Sequence, residues 1–175
     1  EIDRIVNITD NLRALSQNEG SEVVSFEINE LLENTLELIK PELNIKNIKL
    51  VLQFEKELPE VMAHGSEIGQ AFLNIVSNAI DAMPDGGKLT IVTQGVQKKG
   101  LPLVRIRIID TGCGIANDVI DKIFEPFYST KKEIKGVGLG LSSSYTIING
   151  YGGKLNVESE EGHGTTFIID LPVKI

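Results

Sequence analysis

The strand-like stretches of this chain carry one apolar face each, and that restricts what the chain can fold into. "IKLVLQF" (48–54), "KLTIVTQ" (88–94) and "LVRIRIID" (103–110) are rich in branched residues and alternate in character. Such strands form a sheet that is covered on one side and meets water on the other. The helical stretches that supply the cover do not alternate strictly with the strands. "FEINELLENTLELIKPELN" (26–44) turns Leu31, Leu32, Thr35, Leu36 and Ile39 inward, with Pro41 interrupting it or closing its last turn. A long helix over 67–83 follows, with Ser66 as N-cap and Glu67 in the first turn, where the helix dipole favours an acid. A short helix is expected near 117–123 and another over 140–149. "PEVMAHG" reads as a short strand, "PDGG" as a turn, and "GGKLNVESEEGHGTTFIIDLP" as a closing hairpin parted by "EEGHG". The order predicts an α+β fold: a two-layer sandwich with a mixed, roughly five-stranded sheet and three helices on one face.

Residues 1–17 predict a helix ahead of this domain. Ile5, Ile8, Leu12 and Leu15 form a narrow heptad-like seam suited to pairing with another helix. The expected division is 1–20 for that helix and 21–175 for the domain proper. With no initiator Met, the chain is expected to be a piece of something longer.

The apolar fraction of 41% supports a real core, and the net charge of -8 argues against nucleic acid as a partner. An anionic ligand would need local help from lysines, backbone N–H groups or a metal. The single cysteine, Cys113, excludes an internal disulfide framework and a cysteine-based zinc site. No apolar run reaches membrane-spanning length, and the spaced apolar positions at the start are not those of a signal peptide.

Five clusters carry candidate chemistry. "DTGCGI" (110–115) delivers an acid from a strand end into a turn with almost no side chains. That is good turn chemistry, or a place where a flat polar group approaches the backbone and the acid reads it. On the 67–83 helix, Glu67, Gln70, Asn74, Asn78 and Asp81 form a straight polar stripe. Solvated faces favour Glu, Lys and Arg, whereas Asn competes for the backbone inside a helix, so two of them one turn apart suggest a task. An amide oxygen is a hard, uncharged ligand suited to Mg²⁺ shared with phosphates.

"KGVGLGLSSSYTIINGYGG" alternates Gly136, Gly138 and Gly140 before a helix: a flexible linker, or a loop presenting N–H groups to an anion. It is neither a Walker A loop nor a dinucleotide fingerprint. Lys131, Lys132 and Lys135 lie just before it, as solubilising charges or as phosphate partners. In "IFEPFYSTK", Phe124 and Phe127 flank the helix-breaking Pro126, as packing or as the anchor of a mobile segment. In "GHGTTFIIDLP", Gly162 and Gly164 make the hairpin turn, and a hydroxyl of Thr165 or Thr166 is placed to back up Asp110.

In this order and at these spacings, the segments resemble the N, G1, F, G2 and G3 boxes of the sensor histidine kinase ATP-binding domain. This is the GHKL superfamily with its Bergerat-type fold, shared with gyrase, a heat-shock chaperone and the MutL proteins. The boxes are "QAFLNIVSNAIDA", "DTGCGI", "FEPFYSTK", "GVGLGLSSSYTII" and "GHGTTF", and the resemblance covers roughly 25–173.

The resemblance implies a set of roles. Asp110 would accept from the adenine exocyclic amine and so reject guanine, with Gly112 and Gly114 letting the ring lie close and Thr165 assisting through water. Asn78 would ligate Mg²⁺, with Asn74 beside the phosphates. Gly136, Gly138 and Gly140 would wrap the triphosphate of ATP, with Val137, Leu139 and Leu141 between and after them. Residues 125–138 would form the lid, with Lys131 on the terminal phosphate. Asp81, Ile115, Phe124 and Phe127 would complete the nucleotide site. Hydrolysing relatives place a Glu base where this chain has Asn74, and an amide cannot take a proton from water. The pocket therefore suits phosphoryl transfer, by positioning and charge neutralisation.

The acceptor histidine is not at His64 or His163, which are expected at the surface; it would lie upstream, in a dimerisation domain. The implied partners are that domain, a response regulator receiver domain and a second copy of the parent, with a cytoplasmic location and possible membrane anchoring of the parent. A GHKL serine or dehydrogenase kinase is the alternative, which the heptad stub disfavours. A nucleotide-binding module without phosphotransfer is the other.

Overall fold

A computed structural model describes residues 23–98, 100–128 and 138–173. The expected helix over 1–17 and the boundary at 20 lie outside the described residues. The elements in order are β1 (Val24–Phe26), α1 (Ile28–Ile45), β2 (Ile48–Phe54), β3 (Val61–Ala63), α2 (Gly65–Asp81), β4 (Gly87–Lys98) and β5 (Leu101–Asp110). A 3-10 turn (Ile120–Lys122), α3 (Gly140–Gly150), β6 (Lys154–Glu160) and β7 (Gly164–Pro172) complete the described fold.

The main sheet has five strands in the order β2-β4-β5-β7-β6. β2 runs parallel to β4, and every other neighbouring pair is antiparallel. The mixed sheet and the helical layer are the architecture expected from one-faced strands. Ile106 and Ile108 of β5, Leu89 and Ile91 of β4 and Phe167 and Ile169 of β7 share one buried core with α1, α2 and α3. The apolar face of α2 is buried throughout, from Ile68 and Phe72 to Ile80, as is Met83 just past its end. α2 packs against both α1 and α3.

Three local expectations are corrected. Phe26 is not in a helix but in β1, which pairs antiparallel with β3 as a second, two-stranded sheet. Strand pairing there overrides the helical reading, and Val61 bridges to Val173 at the end of β7. Ser66 does not cap α2: the helix begins at Gly65 with His64 at the N-cap and no side-chain cap bond, and Ser66 is exposed in its first turn. The expected helix near 117–123 contracts to the 3-10 turn.

On the face turned away from the helices, Arg105 of β5 stands opposite Asp170 of β7. The guanidinium binds both carboxylate oxygens, Nε to Oδ1 at 2.7 Å and Nη2 to Oδ2 at 2.9 Å, and Lys98 Nζ lies 3.3 Å from Oδ2. Asp170 is 2% exposed. The hydrogen bonds from Arg105, against the cost of burial, hold its carboxyl below the usual range. A lowered folded value contributes stability above the ordinary carboxylate range that is lost as pH falls through the folded value. Arg105→Met is expected to cost about 2 kcal/mol in urea unfolding at pH 7, between the exposed and buried limits for an ion pair. The difference from the parent protein is expected to shrink below about pH 4; an equal penalty at both pH values would contradict this account.

Candidate functional site

β5 ends at Asp110, whose side chain falls on the helix-facing side by alternation with Ile106 and Ile108. It is 3% exposed. Oδ1 accepts from the N–H of Gly112 at 2.8 Å and of Thr165 at 3.2 Å. Both bonds land on one oxygen, and neither uses Oδ2. Burial pushes the carboxyl up from its usual range, and the two N–H groups oppose that shift only in part. The acid thus stands where its charge is costly, which is the signature of a group placed for a ligand as often as for the fold.

The loops around Asp110 meet backbone to backbone. A Cβ on Gly112 would stand 2.5 Å from Ala82 O, one on Gly114 2.1 Å from Glu160 O, and one on Gly164 2.2 Å from Asp110 O. Gly114 and Gly164 also have φ of +70° and +92°, the left-handed region that favours glycine. Gly162 N–H donates to Cys113 O at 2.7 Å and Cys113 N–H to Ala82 O at 3.1 Å, so the "DTGCGI" turn is fastened both to the hairpin turn and to the end of α2.

Sequence reasoning missed the residue that joins these loops, Ser159. Its Oγ lies 2.8 Å from Ile115 N, 2.8 Å from Gly164 O and 2.9 Å from Thr165 Oγ1. The hydroxyl of Thr165 therefore bonds Ser159, while its backbone N–H supports Asp110. The signal was present in the hairpin: a turn from Glu160 to Gly164 sets Ser159 opposite Thr165.

The polar stripe of α2 is half-buried at Gln70, Asn74 and Asn78. Asn78 Nδ2 donates to Asn74 O at 2.9 Å, which fixes the amide and directs Oδ1 away from that bond. Among the described residues no group of three His, Cys, Asp or Glu side chains could hold a metal ion. An uncharged oxygen held this way fits the single protein ligand that Mg²⁺ takes when phosphates and water complete its shell. Asn74 is engaged at both ends: Oδ1 accepts from Gln70 Nε2 at 3.0 Å and Nδ2 donates to Gly140 O at 3.3 Å. It ties α2 to the first turn of α3. Asp81 lies at the far end of the stripe, exposed, with Lys46 Nζ 3.3 Å from its carboxylate.

Of the glycine loop, Gly138, Leu139, Gly140 and Leu141 are described; Lys131, Gly136 and Val137 lie outside the described residues, as do Lys132 and Lys135. The N–H of Phe127 donates to Gly138 O at 3.0 Å, joining the two ends of the undescribed stretch. Phe127 is 73% exposed with φ of +67°, a rare conformation for a bulky residue. Phe124 packs against Tyr145 of α3 with ring centroids 5.2 Å apart. His163 is exposed as expected, but His64 is half-buried, its Nδ1 2.8 Å from the Tyr151 hydroxyl. Tyr151 in turn donates to Glu67 at 2.5 Å. A groove of about 540 Å³ between Glu27–Asn29 and Lys56–Pro59 involves none of these residues.

Comparison with known proteins places this geometry. The family model described as histidine kinase-, DNA gyrase B-, and HSP90-like ATPase matches residues 63–175. The chain belongs to that family. Sporulation kinase E of Bacillus subtilis is 33% identical over 174 residues, which are 99% of this chain and 23% of that protein. The catalytic domain of histidine kinase ThkA superposes with a TM-score of 0.76 at 33% identity, over 87% of this chain and 96% of that one. ThkA in complex with response regulator protein TrrA gives 0.75 at 26% identity, over 99% of this chain and 49% of the other. Full-length ShkA in complex with AMPPNP gives 0.78 at 26% identity, over 97% of this chain and 36% of the other. Within the family the chain is a histidine kinase catalytic domain, and it spans under a quarter of sporulation kinase E.

The backbone contacts predict a contrast between glycines. Gly114→Ala is expected to lower stability by about 1–3 kcal/mol, the scale of stored backbone strain. At Gly140 a Cβ would meet Asn74 atoms only at 3.7 and 3.8 Å, ordinary contact. Gly140→Ala is expected to stay within about 0.5 kcal/mol, the usual range where no strain is introduced. Equal thermal midpoints for the two variants would count against the close packing of the Asp110 loops.

Proposed function

We propose that the chain binds Mg-ATP and donates its γ-phosphoryl group to a histidine of a dimerisation domain, for relay to an aspartate of a response regulator. The observation that carries this is Asp110: a buried acid at a strand end, bonded through one oxygen only. An ionised carboxylate accepts only, so it suits the exocyclic amine of adenine and repels the carbonyl oxygen of guanine. Membership of the family and the AMPPNP complex of ShkA support the nucleotide. The TrrA complex of ThkA supports a response regulator as partner.

The roles of the chain's residues follow. Asp110 holds the base, in a loop whose Gly112 and Gly114, expected to let the ring lie close, instead admit Ala82 O and Glu160 O where a Cβ would stand. Asn78 Oδ1 would hold Mg²⁺, which would supply positive charge against the phosphates. The first N–H groups of α3, at Gly140, Leu141 and Ser142, have no partner within the helix and offer bonds to phosphate oxygens. Gly136, Gly138 and Lys131 extend that cradle. Asn74, held between Gln70 and Gly140, activates no water and keeps the cradle in place, which favours transfer over hydrolysis. Residues 1–20 belong to the dimerisation helix and 21–175 to the catalytic unit, the parent acting as a homodimer with this unit in the cytoplasm. No described helix is long and apolar enough to cross a membrane.

Calorimetry with ATP and ADP, with and without Mg²⁺, tests the reading. Asp110→Asn is expected to lose at least tenfold in affinity, and Asn78→Ala to lose the dependence on Mg²⁺. The raised folded value of Asp110 means that its ionisation removes stability as pH rises through that value. Asp110→Asn is therefore expected to unfold at pH 7 at the same midpoint or higher, so that lost binding is not lost folding. Phosphate on a histidine of a longer chain would complete the case; binding without any transfer would leave a nucleotide-binding module, and a phosphoserine product would favour a serine kinase.

A further inference from the structure

We propose that Ser159 sets the purine selectivity of the site by committing the proton of the Thr165 hydroxyl. The inference rests on the reading of Asp110 as the base-binding acid. Ser159 Oγ has one proton and two lone pairs. Gly164 O, 2.8 Å away, can only accept, so the Ser159 proton goes there. The Ile115 N–H, also at 2.8 Å, can only donate, so it takes one lone pair. What Ser159 has left is a lone pair, and the 2.9 Å contact to Thr165 Oγ1 must then be a bond donated by Thr165.

That assignment has a consequence at the next position in the row. Asp110, Thr165 and Ser159 follow one another across β5, β7 and β6 on the helix-facing side. With its proton given to Ser159, Thr165 Oγ1 has only acceptor capacity for anything else. Ionised Asp110 is an acceptor as well. Any water or base edge meeting both groups finds acceptors and no hydroxyl proton. A 6-amino purine satisfies such a wall, and a 6-oxo purine faces it with a third acceptor. Ser159 does not touch the base in this account; it is a positioning residue. Without it the Thr165 hydroxyl can rotate and donate to a 6-oxo group, directly or through water.

The test compares Kd for ATP and ITP, which differ at the 6-position and N1, by calorimetry on the whole chain. Ser159→Ala is expected to reduce the preference for ATP over ITP by about three- to tenfold, the range for one hydrogen bond gained. Ser159→Thr keeps the hydroxyl and is expected to restore most of the preference. In a Thr165→Val background, Ser159→Ala is expected to leave the ratio unchanged, because no hydroxyl remains to be released. An unchanged ratio in Ser159→Ala overturns the proposal. So does an equal fall in both backgrounds, which would mean that the loops had merely loosened. If Ser159→Ala does not fold, Thr165→Val alone decides: removing an acceptor should weaken ATP and not ITP, and equal weakening refutes the assignment. If the parent chain binds neither nucleotide, the nucleotide reading fails and takes this inference with it, a result distinct from binding without selectivity.

Discussion

The contacts on which the site depends are those in which a carbonyl oxygen occupies the place of a side chain. Glu160 O fills the position of a Cβ at Gly114, Asp110 O that at Gly164, and Ala82 O that at Gly112. These bring three separate segments, the end of α2, the turn after β5 and the β6–β7 turn, into direct backbone contact. No side chain fits at the three glycines, so the polar atoms of the seam must be satisfied by one another. Cys113 N–H to Ala82 O, Gly162 N–H to Cys113 O and the hub at Ser159 meet that requirement. The carboxylate of Asp110 is held in the middle with one oxygen fully occupied.

A charge on Asp110 is out of keeping with its surroundings. Its burial raises the cost of the charge, and among the described residues two backbone N–H groups offset it in part. Asp170 is buried to the same degree on the other face of the sheet, yet Arg105 and Lys98 neutralise it. The contrast separates two uses of a buried carboxylate. One is saturated by cations and serves the sheet; the other is left short of partners, as the proposed base-binding role requires. The amides of α2 divide similarly, with Asn74 consumed by protein contacts and Asn78 retaining an oxygen.

The layer architecture was legible because one-faced strands and a 3.6-residue stripe record burial directly in residue type. The face of α2 opposite its polar stripe is buried, and the strand limits differ by only a few residues. β1 was not legible, since three residues become a strand only through pairing with β3, thirty-five positions later in the chain. The cap at Ser66 failed because the N-terminus of α2 is fastened through His64 and Tyr151, a tertiary contact that overrides local cap preference. In the site, Asp110 and Asn78 stood out as residue types unsuited to their local setting. Ser159 did not, because a serine on a strand is ordinary and its importance lies in what the hairpin register places beside it. The expected support of Asp110 by a hydroxyl of Thr165 or Thr166 gives way to a bond from the Thr165 N–H, the Thr165 hydroxyl being bonded to Ser159.

α3 is fastened to α2 at both of its ends. Gly140 O at its first residue receives Asn74, and Tyr151 just past its last holds His64 and Glu67. An eleven-residue helix is a rod of about 16 Å. A displacement imposed on the glycine end therefore has no slack to disappear into: it reaches Tyr151, and from there His64, the residue directly after β3. Since β3 pairs with β1, the rod joins the glycine end of α3 mechanically to the small two-stranded sheet on which the described fold opens.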